Sequence, residues 1–150
     1  MMISTRGRYA LRVMVDLAEM ATTGYVPMKS VAERQGLSLK YLEQILPVLV
    51  KNGYVIGMHG KKGGYRLAKD PAAYRVGDIL RLTEGELTPV GCAECGKGGC
   101  DRAESCRTLP MWSAFHRMVN DYFDGITLAD LMNGADEKST LGNPTTPNSV

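Results

Sequence analysis

Four cysteines, Cys92, Cys95, Cys100 and Cys106, fall close together in a chain of 150 residues. Thiolates are soft ligands and strong nucleophiles, so such a group can hold a transition metal or carry redox chemistry. Gly91, Gly96, Gly98 and Gly99 lie around them, and glycine lets a backbone wrap closely and aim N–H groups at sulfur. From Gly85 to Pro110 few residues are bulky and apolar, so burial alone cannot order this stretch and something else should hold it. Three chemistries compete. An iron-sulfur cluster or a structural zinc ion could take up to four thiolates, and free thiols could sense oxidants without metal. Gaps of two, four and five residues between successive cysteines lack the paired C-x2-C knuckles of common zinc modules. Cys92-Ala93-Glu94-Cys95 has the dithiol spacing of oxidoreductases, yet no βαβ pattern surrounds it, and His59 and His116 have no spacing that would pair either with a cysteine. A thiol-disulfide enzyme is therefore a remote alternative, and the chain reads as no enzyme.

The rest of the chain must position that loop. With 44% apolar and 23% charged residues the composition is that of an ordinary globular protein, which excludes collagen-like, low-complexity and wholly disordered chains. No apolar run approaches the roughly 20 residues of a membrane span, and no export signal is evident, so a cytoplasmic protein with no membrane partner is expected and structural disulfides are not. Charge is uneven. Residues 1–69 hold eleven Lys and Arg against four Asp and Glu, whereas residues 70–150 hold seven against twelve. A basic half of this kind suits a polyanion, whose counterions Lys and Arg displace.

Within the basic half, Ala10, Val13, Met14, Leu17 and Ala18 recur at helical spacing, and Met28 to Gln35 forms a second, short helix with Met28, Val31 and Ala32 inward. Gly36 can end that helix in a left-handed conformation, and Ser38 can cap the next. From Leu39 onward, Leu42, Ile45, Leu46 and Leu49 share one side while Lys40, Glu43, Gln44 and Lys51 face the other. This is the layout of a helix-turn-helix whose second helix enters the major groove of double-stranded DNA. Lys can donate to guanine, Gln can pair with adenine and Glu can accept from cytosine. Pro47 should kink or restart the helix, leaving residues 38–46 to lie in the groove. Two β-prone stretches, Tyr54 to Met58 and Tyr65 to Ala68, flank the glycine-rich tip His59-Gly60-Lys61-Lys62-Gly63-Gly64, a wing whose cations can reach phosphates.

A helix from Val76 to Glu84 follows, then the cysteine-rich stretch, then a helix from Pro110 that carries Met111, Trp112, Phe115, Met118, Val119, Tyr122 and Phe123. A stripe this aromatic requires a surface to cover it, either its own domain or the same helix of a second chain. Thr127 can cap a short helix from Leu128 to Met132, with Asp130 in the box position, and beyond Gly134 the sequence reads as a disordered tail.

Six segments together resemble the Rrf2 family of bacterial transcription regulators over about residues 1 to 132. They are Thr5-Arg6-Gly7-Arg8-Tyr9-Ala10-Leu11, Val31 to Ser38, Tyr41-Leu42-Glu43-Gln44, Lys51-Asn52-Gly53-Tyr54-Val55, Gly63 to Lys69 and Ile126 to Leu131. The likeness is nearest to the iron-sulfur and nitric-oxide-sensing type. It implies a mainly α fold with a small β wing (α+β), a winged helix-turn-helix domain plus a long dimerisation helix. The expected organisation is a DNA-binding domain over 1–85, a cluster-binding loop over 86–109, the dimerisation and capping helices over 110–133, and the tail over 134–150. It further implies a homodimeric regulator, in the first place a repressor, that binds a promoter operator under control of a two-iron or four-iron cluster. Ser38, Leu39, Lys40, Tyr41, Glu43, Gln44, His59, Lys61 and Lys62 would meet DNA, and Cys95, Cys100 and Cys106 would bind the cluster. Where the cluster-binding type has a histidine ligand three residues after its last cysteine, this chain has Leu109, so Cys92 or the other subunit would supply the fourth ligand. A wing-tip arginine of that type corresponds to His59. The alternative within the family is a cluster-free member that regulates sulfur or cysteine metabolism through thiol oxidation or a partner protein.

Overall fold

The computed structural model describes residues 2–91 and 100–134. Its first helix, α1 (Thr5–Glu19), starts ahead of the apolar stripe because the Ser4 hydroxyl accepts the Gly7 N–H and caps it. Gly7 itself is buried: a Cβ there would collide with the Glu84 carboxylate. The Gly36 backbone adopts φ 62° and ψ 36°, the left-handed conformation that ends α2 (Met28–Gln35), and Ser38 then caps α3 (Leu39–Lys51) by accepting the Tyr41 N–H. Ala10, Val13, Met14 and Leu17 of α1 meet Val31 of α2 and Leu42, Ile45, Leu46 and Leu49 of α3 in one core, all buried as their spacing predicts. Each of the Val, Leu, Ile and Met side chains among them contributes about 1.5–3 kcal/mol by leaving water.

A buried carboxylate locks this trihelical unit. Asp16 is 1% exposed and accepts hydrogen bonds from Arg34 Nε at 2.9 Å, Arg34 Nη2 at 2.7 Å and Gln35 Nε2 at 3.0 Å, tying α1 to α2. The charge is tolerable inside because its oxygens are paired. Helix α3 runs through Pro47 without a restart, contrary to one of the two expected outcomes. Proline deletes only the bond to the Glu43 carbonyl, and both residues are exposed, so water can replace it.

Strands β1 (Val55–Met58) and β2 (Gly64–Leu67) pair antiparallel, with Val55 opposite Leu67 and Met58 opposite Gly64. Val26 and Tyr65 exchange two N–H···O bonds of 2.8 Å, fastening the wing to the segment between α1 and α2. Gly64 is required there, since a Cβ would collide with the Val26 carbonyl. Below the wing, buried Tyr74 donates its hydroxyl to the Tyr54 carbonyl and accepts from the Lys69 N–H, each at 2.8 Å.

A second apolar cluster joins Val76 and Leu80 of α4 (Val76–Glu84) to Leu87 and Ile126. Leu87, 1% exposed, lies within the cysteine-rich stretch, so packed structure extends past the boundary drawn after residue 85. Helix α5 (Leu109–Asp124) contains no buried residue. In α6 (Leu128–Met132) the Thr127 hydroxyl accepts the Asp130 N–H while the Asp130 carboxylate accepts the Thr127 N–H, a complete capping box. Among the described residues these six helices and one two-stranded sheet make a mainly helical fold with a small β wing. No helix among them is long and apolar enough to cross a membrane. The expected tail lies outside the described residues from Ala135 onward, as does the amino-terminal Met1.

Candidate functional site

The turn between α2 and α3 presents the first turns of α3 outward. Ser38, Lys40, Glu43 and Gln44 are exposed, and Leu39 and Tyr41 are 45% and 41% exposed, which puts every sequence-predicted α3 residue on the accessible side. Tyr41 has a second task. Its ring meets Tyr9 edge-on at 5.3 Å between centroids, and the Arg12 guanidinium lies 5.5 Å over the same Tyr9 ring. Arg12 also donates to the Gln35 carbonyl and, at 3.2 Å, to Gln35 Oε1, so it caps the negative end of α2. At the wing, His59, Lys61 and Lys62 are exposed on a tip closed by the Gly63 N–H donating to the Gly60 carbonyl at 2.9 Å.

Counting charges along the sequence could not separate committed cations from available ones. Arg34 pairs with Asp16, Arg12 with Gln35, and Arg6 with the Thr83 carbonyl, while Arg66 stacks 5.2 Å over Tyr25. Lys40, Lys51, Lys61 and Lys62 are exposed with no such partner among the described residues. Lys40, Gln44, Pro47 and Lys51 follow one another at helical spacing and so share a face of α3. Between that face and β1 runs a cleft of about 370 Å³, lined by Pro47, Val50, Lys51, Gly57, Met58, His59 and Tyr65. Sequence reasoning missed the cleft, because its two walls lie on elements that only the fold brings together.

Of the proposed thiol ligands, Cys92 and Cys95 lie outside the described residues. Cys100 is an exposed free thiol and Cys106 a half-buried one. Cys106 Sγ sits 3.4 Å from Thr108 Oγ1 at the start of α5; the Thr108 hydroxyl, followed by the Thr108 and Leu109 N–H groups, pulls the thiol below its ordinary pKa of 9.0. Hydrogen bonds to the charged form favour the thiolate, the form that binds metals. Leu109 is the first residue of α5 and has no ligating atom. Among the described residues no three His, Cys, Asp or Glu side chains converge as a metal site.

Two features join the loop to the rest. Arg81 of α4 donates to Asp124 of α5 through Nη1 at 2.8 Å and Nη2 at 2.9 Å, to Asn120 Oδ1 at 2.7 Å, and to Asp78 at 3.1 Å. Asn120 Nδ2 in turn donates to the Leu87 carbonyl at 3.0 Å, where the cysteine-rich stretch begins. Outward from this clamp, Met111, Phe115, Met118 and Tyr122 of α5 are 55%, 42%, 65% and 43% exposed. Their spacing of four, three and four residues is that of a coiled-coil seam.

Residues 3–134 match the family model Rrf2, described as an iron-dependent transcriptional regulator. The chain is 38% identical over 133 residues to the HTH-type transcriptional regulator IscR of Klebsiella pneumoniae (strain 342), covering 89% of this chain and 80% of that protein. Among solved structures it is similar to CymR (YrzC), the global cysteine regulator of B. subtilis, with a TM-score of 0.75 and 35% identity over 91% of this chain and 99% of the other. It is also similar to T. potens IscR, with a TM-score of 0.69 and 38% identity over 95% and 94% of the two chains.

Proposed function

The chain belongs to the Rrf2 family of transcriptional regulators, and from that premise we propose that it is a homodimeric, operator-binding regulator whose grip on DNA is set by an iron-sulfur cluster in the cysteine loop. DNA binding follows from the family; the cluster, the dimer and the residue roles are our reading. The observation that carries it is a pair of free thiols six residues apart at the foot of α5, exposed Cys100 and half-buried Cys106, the latter with its sulfur 3.4 Å from Thr108 Oγ1. Soft sulfur donors in a glycine-rich stretch fit a sulfur-ligated iron centre. Cys95, Cys100 and Cys106 would hold it, with Cys92 or a group of the second subunit as the fourth ligand. When bound, such a cluster supplies one-electron redox chemistry and sensitivity to oxidants, nitric oxide and iron supply.

In this reading Lys40, Glu43 and Gln44 meet base edges in the major groove, while Lys61, Lys62 and His59 contact the backbone and the adjacent groove from the wing. Ser38, Leu39 and Tyr41 seat the amino end of α3. The seam of Met111, Phe115, Met118 and Tyr122 is covered by the same helix of a second copy, so along the chain the loop joins the reading head to the dimer helix. A shift of the loop then changes how two recognition helices meet half-sites about one helical turn apart. Anaerobically purified protein should contain iron and acid-labile sulfide, and should differ in operator affinity from Cys100→Ala at matched salt. Equal affinities in a wild type that carries the cluster would end the coupling.

A second reading is favoured by the likeness to CymR and by the same Cys106: a cluster-free regulator that responds through thiol oxidation. A colourless protein without metal, whose DNA binding changes on mild oxidation, would select it.

A further inference from the structure

Helix α5 has no buried residue, and its apolar hold on its own chain comes chiefly through Phe123, which packs on the cluster of Val76, Leu80, Leu87 and Ile126. Apolar packing is non-directional, so so thin a contact leaves the angle between α5 and α4 soft. Hydrogen bonds supply the missing direction. The Arg81 guanidinium reaches Asp124 with both Nη atoms and Asn120 with one, and the Asn120 amide spends its donors on the Leu87 carbonyl at 3.0 Å and the His116 carbonyl at 2.9 Å. A planar guanidinium held at three acceptors fixes orientation as well as distance. Gly77 permits this approach, because a Cβ there would collide with Asp124 Oδ1. The clamp thus fixes α4, α5 and the start of the cysteine-rich stretch as one body, through residues outside α3 and the wing tip.

We propose that Arg81 and Asn120 are positioning residues that determine which half-site spacing the regulator accepts. The inference rests on the reading of the chain as a dimer joined through α5. The head is then placed relative to the dyad by the α4–α5 angle together with the Val76–Ile126 and Tyr74–Leu128 backbone bonds that hold the chain just after α5, and the two recognition helices are placed relative to each other by that geometry twice. One base pair of extra spacer moves a half-site by about 3.4 Å and rotates it by about 35°. A rigid clamp rejects such a site, and a loosened one follows it.

The test uses full-length protein and a duplex that the wild type selects from a random-sequence pool, remade with one base pair added to or removed from its spacer. Wild type should lose on the order of tenfold in affinity on either altered duplex. Asn120→Ala and Arg81→Lys should lose less than about threefold, while binding a single half-site within about twofold of wild type. Lysine keeps the charge but cannot bridge Asp124 and Asn120 together, so it serves where Asn120→Ala fails to fold. Asp124→Asn, which keeps the shape of the acceptor, should fall between them. Folded variants that discriminate spacing as sharply as wild type would overturn the inference and leave the DNA-binding reading intact. A wild type that selects no duplex, or selects single half-sites only, would overturn that reading and this inference with it.

Discussion

The head and the rear of this molecule carry the same sequence signal with opposite outcomes. In α3, Leu42, Ile45, Leu46 and Leu49 recur at helical spacing and are all fully buried. In α5, Met111, Phe115, Met118 and Tyr122 recur just as regularly and stay 42–65% exposed. Periodicity reports which residues of a helix share a face; it carries no information about what covers that face. In the head the cover comes from α1, α2 and the wing base, held by short turns whose caps are in the sequence. At the rear, among the described residues, one edge of α5 meets its own chain, and the polar clamp of Arg81, Asn120 and Asp124 holds that edge. The same contrast appears in the cations: several in the head are spent on internal bonds, and those left over line the α3 face and the wing tip.

The contrast is sharpest in truncations. Leu46→Ala should cost about 2–5 kcal/mol of unfolding free energy, read by denaturant titration, because it leaves a cavity at the centre of the head. Met118→Ala should change the stability of the isolated chain by less than about 0.5 kcal/mol and instead weaken self-association in sedimentation equilibrium. A Met118 cost as large as that of Leu46, with no change in mass, would mean that α5 is covered by its own chain and would erase the distinction. A smaller effect is expected at the wing. Replacing Lys61 or Lys62 with Ala should weaken DNA binding about equally on all sequences and lower the slope of log affinity against log salt by about 1 for each lysine. An unchanged slope would return the wing cations to the solvated surface.

The smallest effect concerns α6. The Thr127 N–H, followed by the Thr127 hydroxyl, holds the Asp130 carboxyl below its ordinary value of 3.8. Because the folded pKa is the lower one, the capping box adds stability above pH 3.8 and loses it as the pH falls through the folded value. The difference in melting midpoint between wild type and Asp130→Ala should therefore narrow below about pH 4. A difference that does not narrow would mean that Asp130 acts through something other than its charge.

Much of the head was legible. Gly36 and Ser38 mark the turn, the Thr127 and Asp130 pair marks the last cap, and helices α2, α4 and α6 end where the reading placed them, since caps and breakers act locally. Asp16 went unnoticed because a lone acid on a helix looks solvated until Arg34 and Gln35 close on it. Pro47 was read as a kink or a restart, and the restart does not occur, because the rule counts the lost bond and not the water that replaces it. In the cysteine-rich stretch the thiols and their spacing were visible, and the contact of Cys106 with Thr108 two residues on was not.

Composition, spacing and caps determined on their own that this chain folds as a helix-turn-helix with a wing and carries a thiol-rich loop, because each of those features is written in neighbouring residues. The tertiary structure alone decided which cations remain free to meet a polyanion, where α3 and the wing form a cleft, and how α5 is fastened to α4. Those depend on pairs such as Arg81 with Asp124, 43 residues apart, whose meeting is set by how the whole chain packs.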